Sequence, residues 1–268
     1  MPRIEVNKAN LAYQVEGTGM ETVVLLNGIA MTMTHWKPVV DRLLAAGYRV
    51  LLHDMRGQLL SDKPDGPYSL EQHASDLAGL MDALGIDSAH IAGTSYGAEA
   101  ALCFARDYPG RCLSLMAIDG ASECDEVLEA AVEAWKAAAL SDPRVFYKTM
   151  IPWNYSAAYI ASHRDFLTDR EDRVASLPPD YFAAFGRLCD AFLAIDLTKD
   201  LSRISCPSLV LVGEADILKP PTYSLIIANG ILASRYQEIP DAGHAVVIEQ
   251  PEAVAEALIA FLAEAPVR

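Results

Sequence analysis

The chain has 268 residues, 52% of them hydrophobic and 21% charged, with a formal net charge of −15. That length suffices to bury a sizeable core in one α/β domain, and the acidic balance disfavours nucleic acid and anionic membranes, which need clustered Lys and Arg to replace counterions. No stretch approaches the ~20 consecutive apolar residues of a membrane span, and the opening residues 1–6 lack the apolar core and cleavage site of a signal peptide, so a cytoplasmic protein is expected.

Residues 1–6 alternate as an edge strand, and strand-like runs then follow at 22–27, 48–53, 88–93, 113–119, 207–213 and 234–239. Most are continuously apolar, the pattern of strands covered on both faces. Helical patterns lie between several of them. Ser69-Leu70-Glu71-Gln72 reads as a capping box ahead of Leu77, Leu80, Met81 and Leu84, which share a helix face. Val254, Leu258, Phe261 and Leu262 share another after Pro251. Alternating strands and helices predict an α/β fold with a mostly parallel, doubly wound sheet and ligands outside the carboxyl ends of its strands.

The run 88–93 ends in Gly93-Thr94-Ser95-Tyr96-Gly97, and a helical stretch follows at once. A serine between two glycines at a strand-to-helix corner is a candidate nucleophile, because so sharp a turn forces the serine into a sparsely populated backbone region and only glycines let strand and helix approach. Helix N-capping is the plainer role for Ser95, but capping makes no demand for Gly93 and Gly97. Glu99, four residues on, reads as a solvent or packing residue.

From residue 121 to 205 the alternation stops and helical sequence takes over. It holds Trp135, Phe146, Tyr147, Trp153, Tyr155, Tyr159, Phe166, Tyr181, Phe182, Phe185 and Phe192, eleven of the 21 aromatics. We read 1–120 and 206–268 as the core and 121–205 as an inserted helical cap over an apolar pocket, with Trp153 and Tyr159 as candidate substrate contacts. Rings that merely pack cap against core are the alternative for any single one.

A serine hydroxyl attacks an ester only when a base and an orienting acid accompany it. The run 207–213 is followed by Glu214-Ala215-Asp216, which supplies the candidate acid Asp216, with Glu214 and Asp119 as competitors. The run 234–239 leads into Pro240-Asp241-Ala242-Gly243-His244, which supplies the candidate base His244. Five cysteines without Cys-x-x-Cys spacing fit reduced packing residues, and six histidines without ligand-like pairing call for no metal.

With these residues in hand, the chain resembles the α/β-hydrolase superfamily, in particular its capped serine esterases and lactonases of the 3-oxoadipate enol-lactonase type. The resemblance rests on the Ser95 corner, Asp54-Met55-Arg56-Gly57, Val212-Gly213-Glu214-Ala215-Asp216, and Ala242-Gly243-His244 followed by Glu249-Gln250-Pro251. It covers nearly everything outside the cap. The order serine, acid, histidine is that of the superfamily.

Two positions depart from its pattern: Asn27-Gly28 stands where His-Gly is common, and Leu59 where a glycine is usual. The resemblance implies an oxyanion hole formed by the backbone N–H groups of Ile29 and Tyr96, which tolerates the first departure. Asn27 and His35, beside that loop, are further candidate substrate contacts, while Asp54 and Arg56 read as structural holders of a strand-end loop. The implied activity is cofactor-free cleavage of a small ester through an acyl-enzyme, since relatives acting on halides or epoxides carry aspartate at the corner. Lactonase, perhydrolase or haloperoxidase, carbon–carbon bond hydrolase and thioesterase chemistry are alternatives, as is a non-catalytic binding module. A lactonase for a carboxylate-bearing substrate would need a nearby cation, for which Arg144, Lys148 and Arg164 are candidates. The expected partner is a small-molecule ester or lactone, and the oligomeric state is left open, a homo-oligomer included.

Overall fold

The computed structural model describes residues 1–264. Eight strands form one sheet: β1 (Arg3–Val6), β2 (Ala9–Glu16), β3 (Thr22–Leu26), β4 (Arg49–His53), β5 (Ala89–Thr94), β6 (Cys112–Ile118), β7 (Ser208–Gly213) and β8 (Ser234–Ile239). Their order across the sheet is β1-β2-β4-β3-β5-β6-β7-β8, with β1 and β2 antiparallel and every pairing from β4 to β8 parallel. The mostly parallel sheet is therefore observed. Strand β2 is the one absent from the sequence reading, and its turn explains why: Asn7 and Lys8 both take positive φ, of 47° and 65°, without the glycine that usually marks such a hairpin.

The helices are α1 (Lys37–Ala45), α2 (Leu70–Ala83), α3 (Tyr96–Asp107), α4 (Glu126–Ser141), α5 (Pro143–Asn154), α6 (Ala157–Ser162), α7 (Arg164–Ala175), α8 (Pro179–Leu193), α9 (Pro221–Gly230), α10 (Val246–Glu249) and α11 (Pro251–Glu264). Helices α1 and α11 cover one face of the sheet, and α2, α3 and α9 the other. The strands show why their sequences run continuously apolar. In β3, Val23 and Leu25 point into the first layer and Val24 and Leu26 into the second, so the two-residue pleat needs apolar side chains at every position.

At Ser69 half of the expected capping box forms: the hydroxyl accepts the Gln72 N–H at 3.1 Å and starts α2, while the Gln72 side chain donates to Asp76 at 3.0 Å. Short α10, between His244 and Pro251, was not anticipated. Between β6 and β7 the chain makes a helical excursion through α4 to α8. Asp125, Asp142 and Ser156 cap three of these helices with their side chains. Its rings pack largely on one another: Phe146 lies 4.6 Å from Phe185 and 6.0 Å from Phe182, centroid to centroid, in edge contacts. Among the described residues no helix is long and apolar enough to cross a membrane.

Candidate active site

Ser95 sits where β5 turns into α3, with φ 52° and ψ −123°. A non-glycine residue there is strained by about 1–3 kcal/mol and persists only when its surroundings over-determine it. Here they do. A Cβ on Gly93 would lie 2.0 Å from the Gly97 carbonyl oxygen, and one on Gly97 would lie 2.3 Å from the Leu26 carbonyl oxygen, so strand, corner and neighbouring β3 meet backbone to backbone. The Ser95 N–H is held by the Ile118 carbonyl at 2.8 Å.

Two further strand ends deliver side chains to the hydroxyl. His244 follows β8, and its Nε2 lies 2.8 Å from Ser95 Oγ. Asp216 follows β7, and its Oδ2 lies 2.7 Å from His244 Nδ1. A carboxylate only accepts, so Nδ1 carries the proton and donates to Asp216, leaving Nε2 of the neutral ring to accept from Ser95. The other oxygen of Asp216 accepts the N–H groups of Leu218 and Lys219 at 2.9 and 2.8 Å, which fixes the carboxylate plane. Gly243 is required beside His244, since a Cβ there would lie 2.5 Å from the Ser156 nitrogen. Glu249 accepts from Ser156 Oγ at 2.6 Å and from the Gly243 N–H at 3.2 Å, tying the histidine loop to the excursion.

The competing acids are elsewhere engaged. Glu214 is exposed, and Asp119 accepts the Gly213 N–H at 2.9 Å. Burial, and then the neighbouring Asp216, push the Asp119 carboxyl well above the usual range. Asp119, Asp216 and His244 bring ligand-type atoms within 4.8 Å of one another. Both ring nitrogens of His244 are already hydrogen bonded, which explains the cluster without an ion.

Around Ser95 lie two cavities. The larger, about 680 Å³, is bounded by Gly28 to Met31, Ser95, His244 and the α5 residues Phe146, Tyr147, Met150, Ile151 and Asn154, with Arg170 on one wall. The smaller, about 310 Å³, touches Ile29, Ser95, Tyr96 and Lys219 and is otherwise apolar. Ile29 borders both cavities and Tyr96 the smaller, so the two residues expected at an oxyanion hole line the space around the serine. Gln58 donates to the Gly28 carbonyl at 3.0 Å and holds the Ile29 loop from below.

None of the four side chains expected at the substrate lines the larger cavity. Asn27 is fully buried beneath the loop, donating to Asp54 Oδ1 at 3.0 Å and accepting from Trp36 Nε1 at 3.1 Å. It is a clip between strand ends. His35 accepts the Thr32 N–H at 2.9 Å through Nδ1, meets the Arg170 guanidinium through Nε2, and faces a separate groove. Burial, then the Arg170 charge, pull it down to about 3. Trp153 falls off the stripe that α5 presents at 146, 147, 150, 151 and 154. Tyr159 is shielded by Tyr155, on which it stacks at 5.3 Å. Asp54 and Arg56 hold the strand-end loop: Arg56 donates to Asp76 from two nitrogens, and Asp54 accepts the Leu60 N–H at 3.1 Å.

Two residues at the site, Arg170 and Lys219, escaped the sequence reading, and a third, Glu99, has a charged partner that reading did not give it. Arg170 is the cation at the larger cavity, whereas Arg144 and Lys148 pair with acids of the excursion's exposed face. Lys219 and Glu99 form a buried ion pair of 2.9 Å, with side chains 3% and 0% exposed. Glu99 is thus not solvent-facing. Its place inside Gly97-Ala98-Glu99-Ala100-Ala101-Leu102 carries the signal, since a charge amid small apolar residues on a covered helix demands a partner.

The α/β-hydrolase fold family model matches residues 21–251. The chain belongs to this family. It is 30% identical over 266 residues, 98% of this chain and 99% of the relative, to a protein of Azorhizobium caulinodans named as the carbamate hydrolase RutD. Among solved structures, the enol-lactonase of Burkholderia xenovorans superposes with a TM-score of 0.89 at 28% identity, covering 98% of this chain and 100% of its own. A thermophilic esterase from Thermogutta terrifontis gives a TM-score of 0.88 at 30% identity, covering both chains completely. The α/β-hydrolase fold and the enol-lactonase-like resemblance expected from the motifs are both found, and hydrolase is the activity class these relatives support. Within the α/β-hydrolase pattern, the Asn27 departure leaves the following loop in place because Gln58 and the Asn27 clip secure it.

Proposed function

We propose that the protein is a serine carboxylic ester hydrolase acting on small, largely apolar substrates through an acyl-enzyme. The observation that carries this reading is the continuous chain Ser95–His244–Asp216, with links of 2.8 and 2.7 Å at the floor of an apolar cavity. Ser95 Oγ attacks the carbonyl carbon while His244 Nε2 takes its proton, and Asp216 stabilises the imidazolium that forms. The developing oxyanion meets the N–H groups of Ile29 and Tyr96, each such donor being worth about 10²- to 10³-fold. Helix α3, starting at Tyr96, adds the positive end of its dipole. His244 then protonates the leaving alcohol, and a water that it deprotonates releases the acid.

No step calls for a cofactor. The excursion, read as a cap at 121–205, closes the site over the apolar part of the substrate, and a small-molecule ester in the cytoplasm is the partner this implies. Lactone hydrolysis is the second reading, favoured by the close superposition on an enol-lactonase. A panel of p-nitrophenyl esters from acetate to decanoate, with lactones and enol-lactones alongside, tests both. Ser95→Ala is expected to lose about 10⁴- to 10⁶-fold in turnover on whichever substrate is best, and a variant retaining wild-type rates would refute the reading.

A further inference from the structure

Lys219 has no part in the mechanism just given, yet it is among the least exposed charged groups of the protein and stands beside the nucleophile. Its Nζ lies 2.9 Å from Glu99 Oε1, 3.5 Å from Ser95 Oγ and 4.7 Å from the centroid of the Phe192 ring. An ammonium has three N–H donors. One is committed to Glu99, one reaches the serine only at the limit of a hydrogen bond, and the third has nothing but an aromatic face. The wall around it is Leu128, Val132, Trp135, Phe192 and Leu218. A buried ion pair in such a wall is weak evidence for stability, since an apolar side chain of similar size would pack as well.

The pair is also built with care. Glu99 is held by the Ala121 N–H at 2.7 Å, and its second oxygen is buried without a hydrogen-bond partner. Lys219 shares its loop with the acid, because its own N–H bonds Asp216. The pair therefore has a fixed position relative to Ser95, on a cavity less than half the size of the one below α5. A chain with a net charge of −15 repels anions on average, so an anionic substrate needs a local donor of this kind.

We propose that Lys219, positioned by Glu99, anchors a carboxylate carried on the short fragment of the substrate that enters the smaller cavity. The preferred esters then join a short acyl chain ending in a carboxylate to a larger apolar alcohol lying in the larger cavity. Lys219 is a specificity-determining residue and Glu99 a positioning residue. The proposal rests on the esterase reading, because it assumes that the scissile carbonyl sits at Ser95.

The test compares mono-p-nitrophenyl succinate with p-nitrophenyl butyrate, a pair of similar length that differs in the terminal carboxylate. Both esters carry the same nitrophenyl alcohol, so their ratio reports on the terminal carboxylate of the acyl chain. Wild type is expected to favour the succinate in kcat/KM. The double variant Glu99→Gln/Lys219→Met removes both charges together and so leaves no buried ion unpaired, and it should lower the succinate-to-butyrate ratio at least tenfold, chiefly through KM. Arg170→Met, which alters the other cavity's cation, should leave that ratio within about threefold.

An unchanged ratio in the double variant, or a ratio that falls only in Arg170→Met, overturns the proposal while leaving the esterase reading intact. A wild-type protein that hydrolyses neither ester and takes no fluorophosphonate label removes the esterase reading, and the proposal with it.

Discussion

The strand ends of the sheet and the helical excursion above them meet at Ser95, but they specify it in different ways. At the strand ends, position follows from sterics. Gly93, Gly97, Gly213 and Gly243 each stand where a Cβ would lie within 2.5 Å of backbone atoms, so the corner, the acid loop and the histidine loop are locked together by main chain. In the excursion, position follows from how helices pack. Five of its eleven aromatic rings, Phe146, Tyr147, Tyr155, Trp135 and Phe192, reach one of the two cavities at Ser95, and the other six do not. Main-chain demands leave fixed residue types at fixed spacing, whereas packing of side chains accepts many substitutions.

The largest expected effect breaks the steric half of this contrast. Gly97→Ala puts a methyl 2.3 Å from the Leu26 carbonyl oxygen and should destabilise by about 3 kcal/mol or more, read as a drop in urea midpoint. Gly110→Ala, with nothing within 4 Å of the added methyl, should stay within about 0.5 kcal/mol. Equal effects would mean that the corner is softer than its geometry implies.

The next concerns pH. His53 and His73, both buried in the sheet half, are held neutral by burial, at about 4 and about 3. Their folded values lie below the unfolded 6.5, so the native state binds fewer protons, and stability present above pH 6.5 is lost as pH falls towards 3. Asp54 works the other way, raised by burial to about 6, so its ionisation costs stability as pH rises between 4 and 6. Each of the two histidines should contribute about 2 kcal/mol of loss between pH 7 and 5, read by urea titration at both pH values as the difference in pH dependence between wild type and a variant lacking it. A His73→Gln variant should show a shallower loss. The excursion's exposed pairs, such as Arg144 with Asp172, should contribute little and fade with salt.

The smallest effects sharpen the other half. Trp153→Ala and Tyr159→Ala should change kcat/KM on the best ester by less than about threefold, whereas Phe146→Ala and Tyr155→Ala, which line the larger cavity, should lower it about tenfold or more. The reverse ranking would show that the excursion closes differently over a bound substrate.

What could be read in the sequence follows the same division. The parallel sheet was visible because doubly covered strands must be apolar throughout, and Ser95 and Asp216 stood out because each follows such a strand, while His244 stood out beside Gly243 at the end of the more polar β8. Strand β2 was hidden by a hairpin of Asn7 and Lys8 that lacks glycine. Asn27 was legible as a departure but not as a clip, since its partners Trp36 and Asp54 come from separate elements. Lys219 was invisible for a similar reason: its meaning depends on Glu99, 120 residues away in the chain.

Three side chains from three strand ends make one hydroxyl reactive in the proposed mechanism. Fluorophosphonate labelling followed by intact-mass and peptide analysis addresses it most directly, because it reports activation without a known substrate. One adduct per chain on Ser95, lost in Ser95→Ala and slowed by at least a hundredfold in His244→Gln, is the predicted result. A wild-type protein left unmodified, or labelled at the same rate without the histidine, would contradict it.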